Sequence, residues 1–178
     1  KIVYNYSKNT DLYGYVKDAS SNILYLVLDE DVVELMNYFG TSNNVVINAS
    51  IKVGSKDYTV TSIGDLAFAL CFDLASVTIP NSITNIGADA FRSCDALSII
   101  NIPGSVTKIG TGAFSYCSTL TSINVDKDNS YYKSIDGNLY SIDGKQFIQY
   151  AMGKNKDSFS IPNTVTTVGA GAFSGCYS

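Results

Sequence analysis

Residues 76–125 read SVTIPNSITNIGADAFRSCDALSIINIPGSVTKIGTGAFSYCSTLTSINV, and one 23-residue pattern runs through them twice. A related copy precedes this stretch, and a fourth follows later, displaced by one period plus 36 residues. Because a fixed period of about 20–50 residues is typical of stacked structural units, these copies predict a solenoid. The matching positions are Ile63-Gly64, Ile86-Gly87, Ile109-Gly110 and Val168-Gly169, then Ala67-Phe68, Ala90-Phe91, Ala113-Phe114 and Ala172-Phe173, then Cys71, Cys94, Cys117 and Cys176.

Each copy combines a strand pattern with turn signals. Val77, Thr78 and Ile79 alternate between apolar and polar, which predicts a strand with one buried and one exposed face. The last copy repeats this alternation at 159–161. A proline then ends the strand, and the glycine of the Ile-Gly pair suits a turn with positive φ. The spacing Ala-Phe-x-x-Cys-x-x-Leu predicts a short helical turn that packs inward. Stacked copies would align these residues in continuous core columns.

The full pattern is I-P-x-S-[IV]-T-x-I-G-x-x-A-F-x-x-C-x-x-L-x-x-[IV]-x-[IV], and it covers residues 45–178. It resembles the BspA-like, or Treponema pallidum-type, leucine-rich repeat family. The resemblance implies a right-handed leucine-rich repeat solenoid, mainly β with short helical turns. It also implies adhesion to host proteins or to other cells, by a domain of a secreted or cell-surface bacterial protein.

The chain divides into four predicted segments. A solenoid needs a cover over its first coil, so residues 1–44 are predicted to form an N-terminal β-rich cap. Residues 45–125 hold the repeats. Residues 126–158 are predicted to form a three-stranded β-meander insertion, because Ser-Ile-Asp-Gly occurs twice there and Asp-Gly is a strong hairpin-turn signal. Residues 159–178 hold a further, incomplete repeat, which predicts that the polypeptide continues or that another chain covers this end.

The segment 31–39 is ambiguous. Asp31 and Glu34 imitate a capping box, and the apolar residues that follow have helical spacing. The family resemblance instead implies a strand, joined to residues 23–28 by a hairpin. We predict the strand, with the helix as the alternative. Further along, Gly54-Ser55-Lys56-Asp57 is predicted to connect a second hairpin.

Composition and charge exclude several functions. The net charge is −4 and the 12 basic residues are scattered, so a nucleic-acid partner is not expected. No apolar run approaches the ~18 residues of a membrane-spanning segment. The chain contains no histidine, which excludes Ser-His-Asp and Cys-His catalysis. A calcium-loop pattern beginning at Asp126 fails, since Tyr131 and Gly137 occupy its glycine and glutamate positions. We therefore predict no enzyme activity, metal or cofactor.

The four cysteines share one position of the repeat. Zinc sites use paired ligands such as Cys-x-x-Cys, which this spacing lacks. We predict that Cys71, Cys94 and Cys117 are buried, reduced thiols that behave as small apolar residues. The alternative is a disulfide bond between neighbouring coils, such as Cys71 with Cys94.

What remains is a surface that could bind a partner, because solenoids present broad faces of repeated short side chains. We predict a non-enzymatic protein-interaction or adhesion domain that binds a surface protein of a host or neighbouring cell. The alternatives are a structural spacer and a glycan-binding module. The tyrosines of the insertion are either a contact patch or a cover for the meander. The candidate residues are Thr78, Asn101, Asn124, Ser160 and Ile99 on the repeat face, and Tyr131, Tyr132 and Tyr140 in the insertion.

Overall fold

The computed structural model describes residues 3–4, 14–18, 20–154 and 158–176. The remainder of the predicted cap, residues 1–2, 5–13 and 19, lies outside this range. Within the described residues the single helix is a short 3-10 helix at Met152–Lys154. The strands are β1 (Val3–Tyr4), β2 (Tyr15–Asp18), β3 (Ile23–Asp29), β4 (Val32–Tyr38), β5 (Asn44–Val46), β6 (Ser50–Val53), β7 (Lys56–Ile63), β8 (Ser76–Thr78), β9 (Asn85–Ile86), β10 (Ile99–Ile102), β11 (Lys108–Ile109), β12 (Ser122–Val125), β13 (Tyr132–Ile135), β14 (Asn138–Ser141), β15 (Gln146–Gln149) and β16 (Thr167–Val168).

Short parallel strands from successive copies stack into a β-solenoid of about six turns, which confirms the predicted fold. On one side β7, β9 and β11 pair in parallel, with Ile63 opposite Ile86 and Ile86 opposite Ile109. On the other side β5 pairs with β8, and β10 pairs with β12. The partners within each repeat pair are 23 residues apart, so the sequence period is the coil period.

A column of aromatic rings runs through the core between these two sides. Phe68 stacks on Phe91 with ring centroids 5.1 Å apart, and Phe91 stacks on Phe114 at 5.7 Å. Tyr38, at the end of β4, occupies the preceding place, 5.4 Å from Phe68. The three phenylalanines are at most 1% exposed. Burying each such side chain contributes about 1.5–3 kcal/mol to folding.

The Ala-Phe segment does not form the predicted short helical turn. The N–H of Phe68 donates to the carbonyl of Ala90 in the next coil (2.7 Å), whereas the N–H groups of Ala67 and Ala69 donate three residues back (3.3 and 3.0 Å). A helix would use every N–H within its own chain segment and would need an unbroken right-handed backbone. Left-handed φ instead recurs at two positions of each coil: Leu66, Asp89, Gly112 and Gly171, then Leu70, Ser93, Tyr116 and Gly175.

The glycine of the Ile-Gly pair has a different role from the predicted one. Gly87 and Gly110 do not have positive φ. A Cβ atom at Gly87 would lie 2.5 Å from the backbone nitrogen of Asp65, and one at Gly110 would lie 2.3 Å from that of Ala88. The glycine is therefore required because neighbouring coils approach too closely for any side chain.

At the N-terminal end, β2, β3 and β4 form an antiparallel meander. The strand predicted over 31–39 is confirmed by β4, and the helical alternative is wrong. β4 has partners on both edges, since it pairs antiparallel with β3 and parallel with β7. The second predicted hairpin is also confirmed, because β6 and β7 pair antiparallel with Val53 opposite Lys56.

The insertion contains three antiparallel strands, β13, β14 and β15. Its first turn places Asp136 and Gly137 at φ 49° and 68°, as Asp-Gly hairpin turns require. This turn reaches β12, where the N–H of Ile123 donates to the carbonyl of Gly137 (2.8 Å) and the carbonyl of Ile123 accepts from Ser134 Oγ. The free edge of β12 is thus taken by the insertion.

The strand expected at 159–161 does not form, because the insertion occupies the edge that would have paired with it. Phe159 is half-buried, with its ring 5.3 Å from Phe147 and 5.0 Å from Tyr150. Ile161, predicted to face the core, is 40% exposed. The last coil instead contributes β16, which pairs in parallel with β15 of the insertion.

Candidate binding face

The exposed side of β10 and β12 carries a ladder of asparagine side chains. Asn101 and Asn124 lie opposite each other in the parallel register, and Asn124 Nδ2 donates to Asn101 Oδ1 at 3.0 Å. Ser122 Oγ in turn donates to Asn124 Oδ1 at 2.6 Å. A similar bond joins the first pair of strands, where Ser76 Oγ donates to Asn44 Oδ1 at 2.6 Å. The Asn124–Asn101 and Ser76–Asn44 bonds hold the side chains of neighbouring coils in register, and the Ser122–Asn124 bond orients the Asn124 amide within its own strand.

Together the four strands form what we call the sheet face. It contains no charged residue, so its chemistry is that of amides and hydroxyls. Two apolar side chains interrupt it, Val46 at 63% and Ile99 at 46% exposure. Such a surface can exchange hydrogen bonds with a neutral partner while burying a small apolar area. The sheet face consists of Asn44, Val46, Ser76, Thr78, Ile99, Asn101, Ser122 and Asn124.

The sheet face is rigid because the alternate side chains of its strands are buried in the core. Val77, Ile100 and Ile123 alternate with the exposed residues and are 7%, 0% and 0% exposed. Burial of these side chains and the parallel ladders leave the backbone little freedom. A partner would therefore bind a preorganised surface and would not have to order it.

The structure brings four of the five predicted face residues together. Thr78 lies on β8, which neighbours β10, and Ile99, Asn101 and Asn124 follow on β10 and β12. Ser160 is exposed but lies in no strand. Its placement on this face was wrong, because the hairpin of the insertion stands beside β12 where the next coil would have continued.

The tyrosines of the insertion do not form one surface patch. Tyr131 is 52% exposed, whereas Tyr140 is 1% exposed and packs edge-to-face against Phe147 at 5.0 Å. Tyr132 is half-buried, and its hydroxyl accepts the N–H of Ile109 on β11 at 2.9 Å. Burial raises the pKa of Tyr132. The inclusion of Tyr140 in a contact patch was wrong, and Tyr132 and Tyr140 cover the meander instead.

The cysteine column is buried only in its middle. Cys94 Sγ donates to the carbonyl of Phe68 at 3.2 Å, and Cys117 Sγ donates to that of Phe91 at 3.0 Å. Burial raises the pKa of both thiols, that of Cys117 to about 12. Their predicted burial is confirmed. Cys71 is half-buried, so the prediction overstated its burial, and all four cysteines are free, so the alternative disulfide is not formed.

A groove beside the first coil, called the apolar groove for its three exposed apolar side chains, was not predicted from the sequence. It lies between residues 38–42 and 69–74 and has a volume of about 280 Å³. Phe39, Leu70 and Phe72 line it and are 56%, 60% and 55% exposed. The signal was present in the repeat itself, because the position of Phe72 holds Asp95 and Ser118 in the next two coils.

Two features are absent from the part of the chain that the structure describes. No group of three or more His, Cys, Asp or Glu side chains in that part of the chain could hold a metal ion. Among the same residues, no helix has the length and apolar character needed to cross a membrane.

The coil geometry and the repeat motif define a leucine-rich repeat protein. More specifically, the chain belongs to the family described as the BspA type leucine rich repeat region, whose six-copy pattern matches residues 42–178. No curated protein sequence matches the chain.

The chain is similar to several solved structures. A leucine-rich repeat protein from Bacteroides capillosus is 24% identical with a TM-score of 0.50, over 63% of this chain and 98% of that one. The pneumococcal vaccine antigen PcpA is 18% identical (TM-score 0.49) over 92% of this chain and 62% of its own. A leucine rich cell surface protein from Faecalibacterium prausnitzii is 20% identical (TM-score 0.43), over 96% and 69% respectively. This chain thus spans less than two thirds of the length of the pneumococcal antigen.

Proposed function

We propose that this chain is a non-catalytic binding domain of a secreted or cell-surface bacterial protein, and that it adheres to a surface protein of a host or neighbouring cell. The observation that carries the proposal is the sheet face, an uncharged and rigid row of side chains repeated from coil to coil. Its asparagine ladder satisfies part of its own hydrogen bonding and leaves the outer side of the row to a partner. The resemblance to the BspA-like family supports the surface location.

The sheet face suits protein recognition for a physical reason. Amide and hydroxyl groups form hydrogen bonds with backbone and neutral side chains without the desolvation cost of charges. Val46 and Ile99 are the exposed apolar groups that would be buried at the centre of such a contact. Tyr131 is the one predicted insertion tyrosine that is exposed enough to add an aromatic contact.

The test measures attachment of the fluorescently labelled chain to cultured epithelial cells by flow cytometry. We expect attachment to fall by about tenfold or more in a variant with both Asn101→Ala and Asn124→Ala, since loss of about 1.4 kcal/mol of binding energy has this effect. Asn81→Ala is the matched control, because Asn81 is an exposed asparagine in a turn outside the sheet face. Treating the cells with trypsin should abolish attachment.

Each other outcome contradicts the proposal in a distinct way. Attachment that survives trypsin and is lost on enzymatic removal of cell-surface glycans would identify a glycan-binding module. A chain that attaches to neither epithelial nor bacterial cells would be a structural spacer. Equal attachment of the double variant and the parent would exclude the sheet face as the contact.

A further inference from the structure

The apolar groove beside the first coil is a second surface, separate from the sheet face. Its sides are the 38–42 segment and the turn at 69–74. Within it three large apolar side chains are each more than half exposed: Phe39, Leu70 and Phe72. Single exposed apolar residues are ordinary on protein surfaces, but several that line one groove indicate an interaction site.

In the first coil, two leucines have a backbone conformation that leucine disfavours. Leu66 and Leu70 both have left-handed φ, at 59° and 63°. Leucine is disfavoured there, because its Cβ approaches the following carbonyl. Both leucines are also exposed, at 55% and 60%, so their packing in the core does not explain their presence. Non-glycine residues with left-handed φ cost conformational energy and occur often at functional sites.

Comparison with the other coils shows that this apolar character is specific to the first one. At the position of Leu66 the following coils have Asp89, Gly112 and Gly171, and at the position of Leu70 they have Ser93, Tyr116 and Gly175. Glycine at these places adopts left-handed φ without strain. The repeat therefore does not demand leucine at either position.

The charges around the groove are mostly negative. Asp73 lines it, and Asp95 precedes Ala96, whose N–H donates to the carbonyl of Phe72 (3.1 Å). Asp89 is paired with Arg92, and Asp65 lines a separate cavity together with Lys108, so neither adds net charge to the groove.

Two basic residues lie near these carboxylates. Lys17 Nζ sits 5.6 Å from the ring centroid of Phe39. The Arg92 guanidinium is 3.9 Å from Asp89 Oδ1 and stacks over Tyr116, one coil away from the groove. Asp73 and Asp95 against Lys17 leave the groove with one negative charge in excess, which attracts a basic partner.

From this combination we infer that the apolar groove binds an extended peptide segment of a protein partner, one that inserts an aromatic or aliphatic side chain flanked by lysine or arginine. The apolar anchor buries against Phe39, Leu70 and Phe72. The flanking basic residues face Asp73 and Asp95. Such an anchor surrounded by charge complementarity is how compact peptide sites gain both affinity and specificity.

The experiment selects peptides from a phage-displayed library of random linear sequences on the immobilised full chain. We expect the selected peptides to share an apolar residue with Lys or Arg beside it. A synthetic copy should bind about 30-fold more weakly to the Phe72→Ser variant, as for loss of an interface hot spot worth ~2 kcal/mol. Its binding should also weaken as salt is added.

Two further variants make the test specific. Leu70→Gly removes the anchor contact and places glycine at a left-handed position, so the peptide should bind more weakly while the thermal stability of the chain holds or rises. Ile142→Ser removes a 46% exposed apolar side chain from the insertion, outside both the groove and the sheet face, and it should leave peptide binding unchanged.

Three results would overturn the inference. The selected peptides could lack basic residues, or they could bind Phe72→Ser as tightly as the parent. Sedimentation velocity could also show that the chain dimerises and that Phe72→Ser abolishes the dimer, which would make a second copy the occupant of the groove.

Discussion

Two antiparallel meanders in the described part of the chain each lead into parallel coils, a first stack of three coils and a second that consists of the last coil alone. One is β2–β4 at the N-terminal end, and the other is β13–β15 in the insertion. The last strand of the first meander pairs in parallel with β7, and that of the second pairs in parallel with β16. The insertion therefore repeats the arrangement by which the solenoid begins.

In both places a tyrosine lies where the meander meets the coil that follows it. The N–H of Tyr38 donates to Ala67 (2.9 Å) and that of Tyr150 donates to Ala172 (2.8 Å). Between coils the same bond is made by phenylalanine. Each tyrosine thus stands where the repeat has phenylalanine, and the ring of Tyr150 lies 5.7 Å from that of Phe173.

The two stacks differ in how tightly they pack. After the first meander the phenylalanine column is fully buried. After the second, Phe173 is half-buried, Val168 is 47% exposed, and a cavity of about 90 Å³ separates the third coil from the insertion. The cavity shows that the insertion fills the surface of the third coil less completely than an identical coil does, because only matched neighbours fill each other's surface.

The largest expected effect comes from the aromatic column. Phe91→Ala should lower the free energy of unfolding by about 3–5 kcal/mol, because it opens a cavity in a close-packed core. Phe173→Ala should cost clearly less, since Phe173 is already half-exposed. Urea denaturation followed by far-ultraviolet circular dichroism measures both. Equal losses would show that the two stacks are packed alike.

Glycine-to-alanine substitutions test the same difference in packing between the first stack and the last coil. Gly87→Ala should cost about 1–3 kcal/mol, because the new Cβ meets the backbone of the preceding coil and overpacks it. Gly169→Ala is the matched variant: its Cβ would lie 3.3 Å from the nearest atom, the carbonyl oxygen of Phe147. The strand backbone there should absorb it within about 1 kcal/mol. A Gly87→Ala chain that melts with the parent would refute close approach as the reason for glycine.

The two junction tyrosines should respond differently to loss of the hydroxyl. Tyr38 OH accepts the N–H of Ser42 at 3.0 Å, so Tyr38→Phe should cost about 0.5–1.5 kcal/mol. Tyr150→Phe is the control, and it should leave stability unchanged because no hydrogen bond to its hydroxyl is found among the described residues. Thermal melts of the two variants decide the matter, and a larger loss for Tyr150→Phe would contradict it.

The smallest expected effect is the difference in reactivity among the four cysteine thiols. Cys94 and Cys117 should stay unreactive toward a thiol reagent in the native protein, because they are buried and burial holds their pKa above its usual value. Cys176 in the last coil is exposed and should react first, followed by half-buried Cys71. Mass spectrometry of digests identifies the labelled positions. Early modification of Cys117 would indicate that the first stack opens as readily as the second.

Part of the candidate site could be predicted from the sequence, and part of it could not. Thr78, Asn101 and Asn124 share one repeat position, so stacking alone places them in a row. Ser160 shares that position too, but the insertion intervenes between its coil and β12. Tyr140 could not be assigned to surface or core, because alternation along β14 does not tell which side of the meander the coils will cover.

The sequence by itself determined the coil, its period and its core, because a strict 23-residue recurrence of apolar residues can be buried only by stacking one copy on the next. The tertiary structure decided those features for which a local sequence pattern allows more than one conformation. β4 has helical spacing yet is a strand, since β3 and β7 pair with both of its edges. The Ala-Phe segment is a series of turns because alternate N–H groups bond to the neighbouring coil. Gly87 has to be glycine because the backbone of the preceding coil leaves no room for a Cβ atom. Apart from the hairpin partner β3, each deciding partner is more than 20 residues away, beyond the reach of any local pattern.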